Sequence, residues 1–332
     1  MSAPTTNPAS SKPTVALYWA ASCGGCEIAM LDINEKILDL IAAVDIVFWP
    51  VALDTKYHDI EAMPDNSIDL CLFNGAIRTS ENEHMAKLLR KKAKTLIAFG
   101  ACAVSGGIPG LANLTTKQDI LKTAYLDNPS TPNPNKTLPQ PASKAPEGTL
   151  TIPEFHETVK TLDQVVDVDY YLPGCPPPTD LILNALTAIT TGKLPEKGSV
   201  LAPQKSVCDE CRYKISDKKI TTIKRLQDLD PIKDTCFLEQ NVVCLGPATR
   251  GGCKGRCMEA NAPCTGCGGL LPNSLDQGAA MITALASLLG IDTEEKTTDA
   301  DLDALLAKIQ DLTGTFYKYT LAASLIPRRR TP

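Results

Sequence analysis

Eight cysteines lie close together in the second half of the chain, and they restrict its fold more than any other feature. They are Cys208, Cys211, Cys236, Cys244, Cys253, Cys257, Cys264 and Cys267, all within 60 residues. Two pairs have the C-x-x-C spacing that lets two thiolates of one turn bind the same metal centre. A 4Fe-4S cluster needs four thiolates, and glycine-rich turns such as Gly251-Gly252 let the backbone wrap a compact inorganic core. We therefore predict two iron-sulfur sites, which hold this segment together in place of an apolar core.

The composition narrows the class of protein. The chain has 332 residues, of which 43% are hydrophobic and 21% are charged, as is typical of a globular protein large enough for two domains. The net charge of -5 argues against a nucleic-acid-binding surface. Thirteen cysteines in a chain that can build its own core favour metal binding over a disulfide framework.

No export or membrane signal is visible in the sequence. Residues 1–14 are polar, the first arginine is Arg78, and no apolar run reaches the ~20 residues that a membrane span requires. We therefore expect a cytoplasmic protein, in which thiolates persist as metal ligands, with a disordered tail over residues 1–13.

Short apolar segments alternate with helix-forming segments through the first 200 residues. Strands are predicted over 14–19, 45–49, 68–73, 95–99 and 165–172, and helices over 27–43, 80–92 and 179–191. Ser80 and Glu83 form a predicted capping box for the second helix, and 54–66 is a predicted polar loop. This alternation indicates an α/β domain with a parallel sheet over residues 14–200. A smaller, irregular and helical iron-sulfur domain is expected over 201–332.

Four more cysteines follow predicted strands. Cys23 and Cys26 follow the first strand, Cys102 follows the fourth and Cys175 follows the fifth. Because ligands bind beyond the carboxyl ends of parallel strands, we expect these thiolates to converge at one edge of the sheet and form a third cluster site. The remaining cysteine, Cys71, lies inside an apolar strand and is predicted to be a core residue without a metal role.

Two other regions have distinct patterns. Residues 128–153 contain seven prolines and no apolar periodicity, so we predict an extended loop, for which a partner-contacting strap and a loosely ordered connection are both open. Beyond Cys267, helices are predicted over 275–289, capped by Ser274 with Gln277 and closed by Gly290, and over 301–312 before Gly314.

Structural zinc is the alternative to iron-sulfur clusters, since zinc sites also use C-x-x-C pairs. The Cys175-Pro176 dipeptide and the glycine-rich surroundings favour clusters. His58, His84 and His156 lie outside the cysteine motifs, and the sequence has no nucleotide-binding glycine motif, Walker loop or acid–base pair that indicates a catalytic residue. The chain is thus predicted to conduct electrons for chemistry that takes place in a partner.

Four motifs of the sequence are informative together: Cys23-Gly24-Gly25-Cys26-Glu27, Gly100-Ala101-Cys102-Ala103, Pro173-Gly174-Cys175-Pro176-Pro177 and the C-terminal eight cysteines. Over about residues 14 to 275, they resemble the small subunit of nickel-iron hydrogenases. The resemblance implies a flavodoxin-like first domain and three 4Fe-4S clusters. It implies a proximal cluster on Cys23, Cys26, Cys102 and Cys175, a distal cluster on Cys208, Cys211, Cys236 and Cys244, and a medial cluster on Cys253, Cys257, Cys264 and Cys267. The nickel-iron centre that splits hydrogen belongs to a separate large subunit.

The set of ligands resembles that of the cytoplasmic group 3 enzymes. Exported members have a histidine where this chain has Cys208, and they lack a counterpart of Cys257. The Pro-rich insert and the stretch 166–171 resemble the methyl-viologen-reducing hydrogenase, which implies an iron-sulfur acceptor subunit and heterodisulfide reductase as partners. Deazaflavin-reducing and sulfhydrogenase-type small subunits are alternatives. The cluster subunit of respiratory complex I is a more distant one, because it has adjacent cysteines at the first motif and lacks the C-terminal eight.

Overall fold

The computed structural model describes residues 12–214, 216, 220, 222–229, 233–289 and 298–327. Residues 1–11 of the predicted tail and Gly290 lie outside the described residues. The described strands are β1 (Thr14–Trp19), β2 (Asp45–Phe48), β3 (Ile68–Asn74), β4 (Ile77–Thr79), β5 (Ala93–Phe99), β6 (Ala142–Ala145), β7 (Gly148–Thr151), β8 (Phe155–Lys160) and β9 (Tyr170–Leu172).

The described α-helices are α1 (Gly25–Leu31), α2 (Lys36–Ala43), α3 (Tyr57–Ala62), α4 (Ser80–Lys92), α5 (Ala101–Ser105), α6 (Lys117–Tyr125), α7 (Thr179–Thr190), α8 (Arg256–Glu259), α9 (Gln277–Leu289), α10 (Asp299–Leu306) and α11 (Leu312–Phe316). Short 3-10 turns cover Ile108–Leu114, Val207–Glu210, Leu226–Asp228, Leu238–Gln240, Gly246–Ala248 and Leu321–Ala323.

Five strands form one parallel sheet in the order β2-β1-β3-β5-β9. Counted along the chain, this is the 2-1-3-4-5 order of the flavodoxin-like fold, with the reversal of strand order between β1 and β3. All five carboxyl ends therefore lie at the same edge. The predicted α/β, flavodoxin-like fold class is confirmed.

Both faces of the sheet are buried, and successive residues of each strand point to opposite faces. In β3, Leu70 and Leu72 pack in one hydrophobic cluster with α1 and α7, whereas Cys71 and Phe73 pack in a second cluster with α3 and α4. The sheet is thus sandwiched between two layers of helices, and its edges are the positions left for a site.

The predicted strands are confirmed with small changes of boundary, except at β9. Residues 163–165 form a turn and residues 166–169 are not part of a strand, so the strand predicted over 165–172 covers only Tyr170–Leu172. Two short sheets were not predicted: β4 pairs with β8, and β6 pairs with β7. The β6–β7 hairpin lies inside the Pro-rich insert, because Ala142–Ala145 and Gly148–Thr151 are free of proline and flank a tight turn. The extended loop predicted over 128–153 is therefore only partly correct.

The helix predicted over 27–43 is wrong as a single element. It is divided into α1 and α2, and Asn34 between them has the left-handed φ of 55°, which asparagine tolerates better than most residues. Helix α2 has no buried residue, and Leu38 and Ile41 are exposed. The polar loop predicted over 54–66 contains α3.

Both predicted capping boxes are wrong by one or two residues. Thr79, not Ser80, caps α4, because its hydroxyl accepts from the Asn82 amide at 3.3 Å. At α9 the cap is Asp276, whose carboxylate accepts from the Ala279 amide at 2.8 Å. In each case a polar side chain one or two residues away from the predicted cap accepts the hydrogen bond from the first turn of the helix.

The predicted C-terminal helix over 301–312 is also displaced. Helix α10 ends at Leu306, and Gly314 lies inside α11 instead of ending a helix. The Asp311 carboxylate caps α11 by accepting from the Gly314 amide at 2.8 Å.

Most buried residues after position 206 form a third hydrophobic cluster, which contains Val207, Phe237, Met281 and Leu321. The prediction that metal sites hold this segment together in place of an apolar core is therefore wrong. The division of the chain near residue 200 stays a prediction, and this separate core is what supports it. No described helix is both long and apolar enough to cross a membrane.

We predict that Cys71→Ala lowers the free energy of unfolding by about 1 kcal/mol, because Cys71 is fully buried in β3 and alanine removes only its sulfur. Denaturant unfolding measures this cost, and iron analysis should show no change. Loss of metal in this variant would mean that Cys71 is a ligand.

Candidate metal centres

The proximal thiols come together at the carboxyl edge of the sheet. Cys23 lies in the turn after β1, Cys26 lies in α1, Cys102 begins α5 after β5, and Cys175 follows β9. Cys26 and Cys102 are buried and Cys23 is exposed. Cys23, Cys102 and Cys175 all raise the pKa of Cys26, and Cys23 also raises those of Cys102 and Cys175, so the structure brings the four thiols together as expected.

Two glycines keep room for these sulfurs. A Cβ on Gly100, which has φ +86°, would lie 2.3 Å from Cys26 Sγ, and a Cβ on Gly107 would lie 2.6 Å from Cys102 Sγ. Both positions have positive φ, which glycine adopts without strain. The backbone at this edge is therefore shaped around the thiols.

Burial and the charge of neighbouring thiolates both oppose the ionisation of these thiols. Burial raises the pKa of Cys26, and Cys102, Cys175 and Cys23 raise it further. Burial also raises the pKa of Cys102 to about 12, with Cys175 and Cys23 adding to the rise. Four thiolates cannot be held here without a cationic core to offset their repulsion.

The distal thiols line one small cavity. Cys208, Cys211, Cys236 and Cys244 share its wall with apolar side chains, among them Phe237. Burial raises the pKa of Cys208 to about 12 and that of Cys244 to about 11, and neighbouring thiols of the set contribute to both shifts. The Tyr213 amide donates to Cys211 Sγ at 3.4 Å, so the backbone already directs N–H groups at the sulfurs.

The medial thiols line a second cavity, whose other walls come from the Pro-Gly-Cys-Pro-Pro segment and from Arg250. Burial raises the pKa of Cys267 to about 11, with Cys253 and Cys257 adding to the rise. Burial, together with Cys253, also raises the pKa of Cys257. Cys253, Cys257, Cys264 and Cys267 are therefore brought together as a third set.

The three sets adjoin one another in a row. The Cys264 amide of the medial set donates to Cys244 Sγ of the distal set at 3.2 Å. On the other side, a backbone hydrogen bond from Cys175 of the proximal set opposes the effect of burial on the pKa of Cys267. The medial set thus lies between the proximal and the distal sets.

The donor chemistry fits soft metals, since all twelve donors are thiols. Among the residues that the structure describes, no three His, Cys, Asp or Glu side chains are close enough together to bind a single metal ion. The three histidines instead face carboxylates: His58 faces Asp59, His84 faces Glu61 and His156 faces Glu83.

Two polar residues that support the thiols were not singled out from the sequence. Glu27, buried beside Cys26, accepts from Trp49 Nε1 at 2.5 Å and from Asn74 Nδ2 at 3.2 Å, which fixes α1 to the ends of two strands. Gln277 donates to the carbonyls of Gly266 and Gly269 at 2.9 and 3.1 Å and so braces the medial loop. Only Glu27 had a sequence signal, its place directly after the C-x-x-C pair.

Comparison with known proteins identifies the family. Residues 23–189 match the family model described as NADH ubiquinone oxidoreductase, 20 Kd subunit. The chain is 43% identical to the iron-sulfur subunit of the F420-non-reducing hydrogenase of Archaeoglobus profundus, over 95% of this chain and 98% of that protein. It is 36% identical to the corresponding subunit of the F420-non-reducing hydrogenase of Methanothermobacter thermautotrophicus, over 96% of this chain and 97% of that protein.

The chain belongs to this family of F420-non-reducing hydrogenase subunits. The sulfhydrogenase 2 subunit delta of Pyrococcus furiosus is less similar, at 25% identity over 76% of this chain and 84% of that protein. The family model described as NADH ubiquinone oxidoreductase, 20 Kd subunit, ends at residue 189, before the C-terminal cysteines. The F420-non-reducing hydrogenase subunits match across those cysteines as well. The prediction of a hydrogenase small subunit, most similar to the methyl-viologen-reducing type, is confirmed.

We predict that Gly100→Ala in this hydrogenase subunit displaces the Cys26 sulfur and lowers the metal content, because the new Cβ would lie 2.3 Å from Cys26 Sγ. Gly192→Ala is the matched control: Gly192 also has positive φ, at +66°, but nothing lies within 4 Å of the added Cβ. Gly192→Ala should lose about 1–2 kcal/mol of stability through backbone strain. Gly100→Ala should lose more, because its φ of 86° and ψ of 161° are adopted almost only by glycine, and only this variant should lose metal. Equal metal content in both variants would contradict a tight fit at Gly100.

Proposed function

We propose that this chain is the electron-transfer small subunit of a nickel-iron hydrogenase and that its three cysteine sets hold three 4Fe-4S clusters. The hydrogen-splitting centre lies in a large-subunit partner. When bound, the clusters supply one-electron transfer between that centre and an acceptor. The chain's own residues hold, bury and space the three sites.

The observation that carries this proposal is the row of three thiol sets. Twelve cysteines from two parts of the chain form three adjoining groups of four, and the medial set contacts both others. Sites that pass electrons must adjoin one another, whereas independent structural zinc sites need not. Zinc is the second candidate for the same donors.

The backbone and the buried surroundings suit polynuclear clusters. Amides of Gly246 and Cys264 hydrogen-bond to Cys244 and lower its pKa against the effect of burial, and the Gly266 amide does the same for Cys264. Such N–H groups spread the negative charge of thiolates bound to a cluster. Burial of Cys236, Cys244 and Cys264 keeps water away from the sites.

The proximal edge is the proposed face for the large subunit. Cys23 is exposed, and exposed apolar side chains lie near it along the chain: Trp19 is 40% exposed, Ile28 57% and Leu31 50%. An exposed apolar surface of this kind, beside a cysteine set with one exposed member, is typical of the surface that a stable subunit interface covers. Cluster and interface would then be formed by the same loop.

The distal set is the proposed exit, because the medial set separates it from the proximal edge. An iron-sulfur acceptor subunit and, beyond it, heterodisulfide reductase are the proposed partners, in line with the resemblance to methyl-viologen-reducing enzymes. The relatives named F420-non-reducing favour this over a deazaflavin acceptor. A cytoplasmic location is proposed as well, since all thirteen cysteines are free thiols.

We predict about twelve iron and twelve acid-labile sulfide per chain in anaerobically purified protein, because three sets of four thiolates each hold four iron ions. Metal analysis measures this, and a visible absorbance that bleaches with dithionite should accompany the iron. About three zinc ions in a colourless protein would support the zinc alternative, and about eight iron would mean that one set is misassigned.

We predict that Cys211→Ala spares hydrogen–deuterium exchange by the intact complex but sharply lowers reduction of its acceptor, because Cys211 belongs to the set farthest along the row. Cys26→Ala should impair both activities and weaken the contact with the large subunit, because Cys26 lies at the proposed interface. Cys71→Ala is the matched cysteine control and should behave like the unmodified protein. Complete loss of exchange in Cys211→Ala, with the other two clusters intact, would mean that the order of the sites is wrong.

A further inference from the structure

The last described segment of the chain folds back against the cysteine sites. Helix α11 and the turn Leu321–Ala323 follow the final cysteine by many residues, yet Leu321 is fully buried. The Ala322 carbonyl accepts from Gln164 Nε2 at 2.9 Å. A Cβ on Gly106 would come within 2.4 Å of Ala322 Cβ, so the segment lies tightly against the loop that follows Cys102.

Tyr319 anchors this segment to the proximal side through its backbone. Its carbonyl oxygen accepts from Ser105 Oγ at 2.8 Å and from the Gly107 amide at 3.1 Å. Both donors belong to the stretch that begins with Cys102, and Gly107 itself packs against the Cys102 sulfur. These contacts do not depend on which side chain occupies position 319.

The side chain of Tyr319 reaches the medial side. Its hydroxyl lies 3.3 Å from Thr265 Oγ1, and Thr265 stands inside the C-x-x-C pair of the medial set. Burial raises the pKa of Tyr319, the Thr265 hydrogen bond lowers it, and Cys267, Cys175 and Cys257 raise it again. The phenol therefore lies within electrostatic reach of thiols from both the proximal and the medial set.

We propose that Tyr319 is a positioning residue that fixes the medial thiol set against the proximal set. Its carbonyl oxygen bonds to the stretch that follows Cys102, and its hydroxyl bonds to Thr265 in the medial set. The ring between these two anchors is rigid, so only two side-chain torsions have to be fixed. The inference rests on the proposed function, because it treats the two sets as adjoining cluster sites. The hydroxyl lies within electrostatic reach of the thiols that would bind these clusters, so loss of its dipole is expected to destabilise the reduced, more negative state of the medial cluster.

The test is Tyr319→Phe in the intact hydrogenase complex, which removes the hydroxyl and keeps the backbone anchors. Iron content should stay unchanged, and a redox titration followed by electron paramagnetic resonance should show a lower midpoint potential for the medial cluster. The distal potential should stay the same. Thr265→Val should shift the medial potential in the same direction, and the double variant should shift it no further than the larger single change, because both remove one hydrogen bond.

Tyr317→Phe is the matched control on the same segment. Tyr317 is also buried, but burial and Asp276, not cysteine thiols, raise its pKa to about 12. This variant should leave all cluster potentials unchanged.

The outcomes separate this inference from the function on which it rests. Fully loaded Tyr319→Phe protein with an unchanged medial potential would overturn the role of Tyr319 and leave the proposed function intact. A similar shift of the medial potential in Tyr317→Phe would also overturn it, and so would a shift of the distal potential in Tyr319→Phe. In either case the substitution would act by loosening the packing of the whole region. Absence of iron-sulfur signals in the unmodified complex would instead overturn the proposed function.

Discussion

The cost of ionising several neighbouring thiols in buried sites is the constraint on which this structure depends. In each set, burial and neighbouring sulfurs both raise the pKa of cysteines such as Cys102, Cys208 and Cys267. A protein can keep such groups neutral and apart or neutralise them with bound cations. This chain instead groups the thiols. The glycines beside the sulfurs leave space for a bound metal core, and the backbone amides supply hydrogen-bond donors to its sulfurs. The metal is thus expected to be part of the folded state and not an addition to it.

The sheet supplies the rigid part of this arrangement. Two layers of helices bury both faces of the five parallel strands, so the strand ends are held in place by packing that does not involve the metal. Glu27 then ties α1 to Trp49 and Asn74 at two of these ends. The position of Cys26 follows from hydrogen bonds and strand packing, while the C-terminal sets rely on loops braced by residues such as Gln277.

Much of the fold and the grouping of the thiols could be predicted from the sequence. Apolar segments located the strands, and the rule that ligands bind beyond parallel strand ends placed Cys23, Cys102 and Cys175 at one edge. The failures have local causes. Asn34, with its left-handed φ, lies between α1 and α2 where the apolar periodicity of the sequence continues, and Asp276 caps α9 in place of the predicted Ser274. Tyr319 could not be found, because its role depends on a chain reversal that brings the C-terminal segment back to Ser105 and Gly107.

The spread of the ligands along the chain has a consequence for assembly. The proximal thiols come from positions 23 to 175 and meet only when β1, β5 and β9 have paired, whereas the other eight fall within 60 residues. Closing a short loop costs less conformational entropy than joining distant strands, and contacts between distant residues form more slowly. If the sets hold clusters as proposed, the C-terminal sets could therefore bind iron on a chain whose sheet is still open. The proximal set could bind its iron only after the sheet is complete, so its loading would report that the first part of the chain has folded.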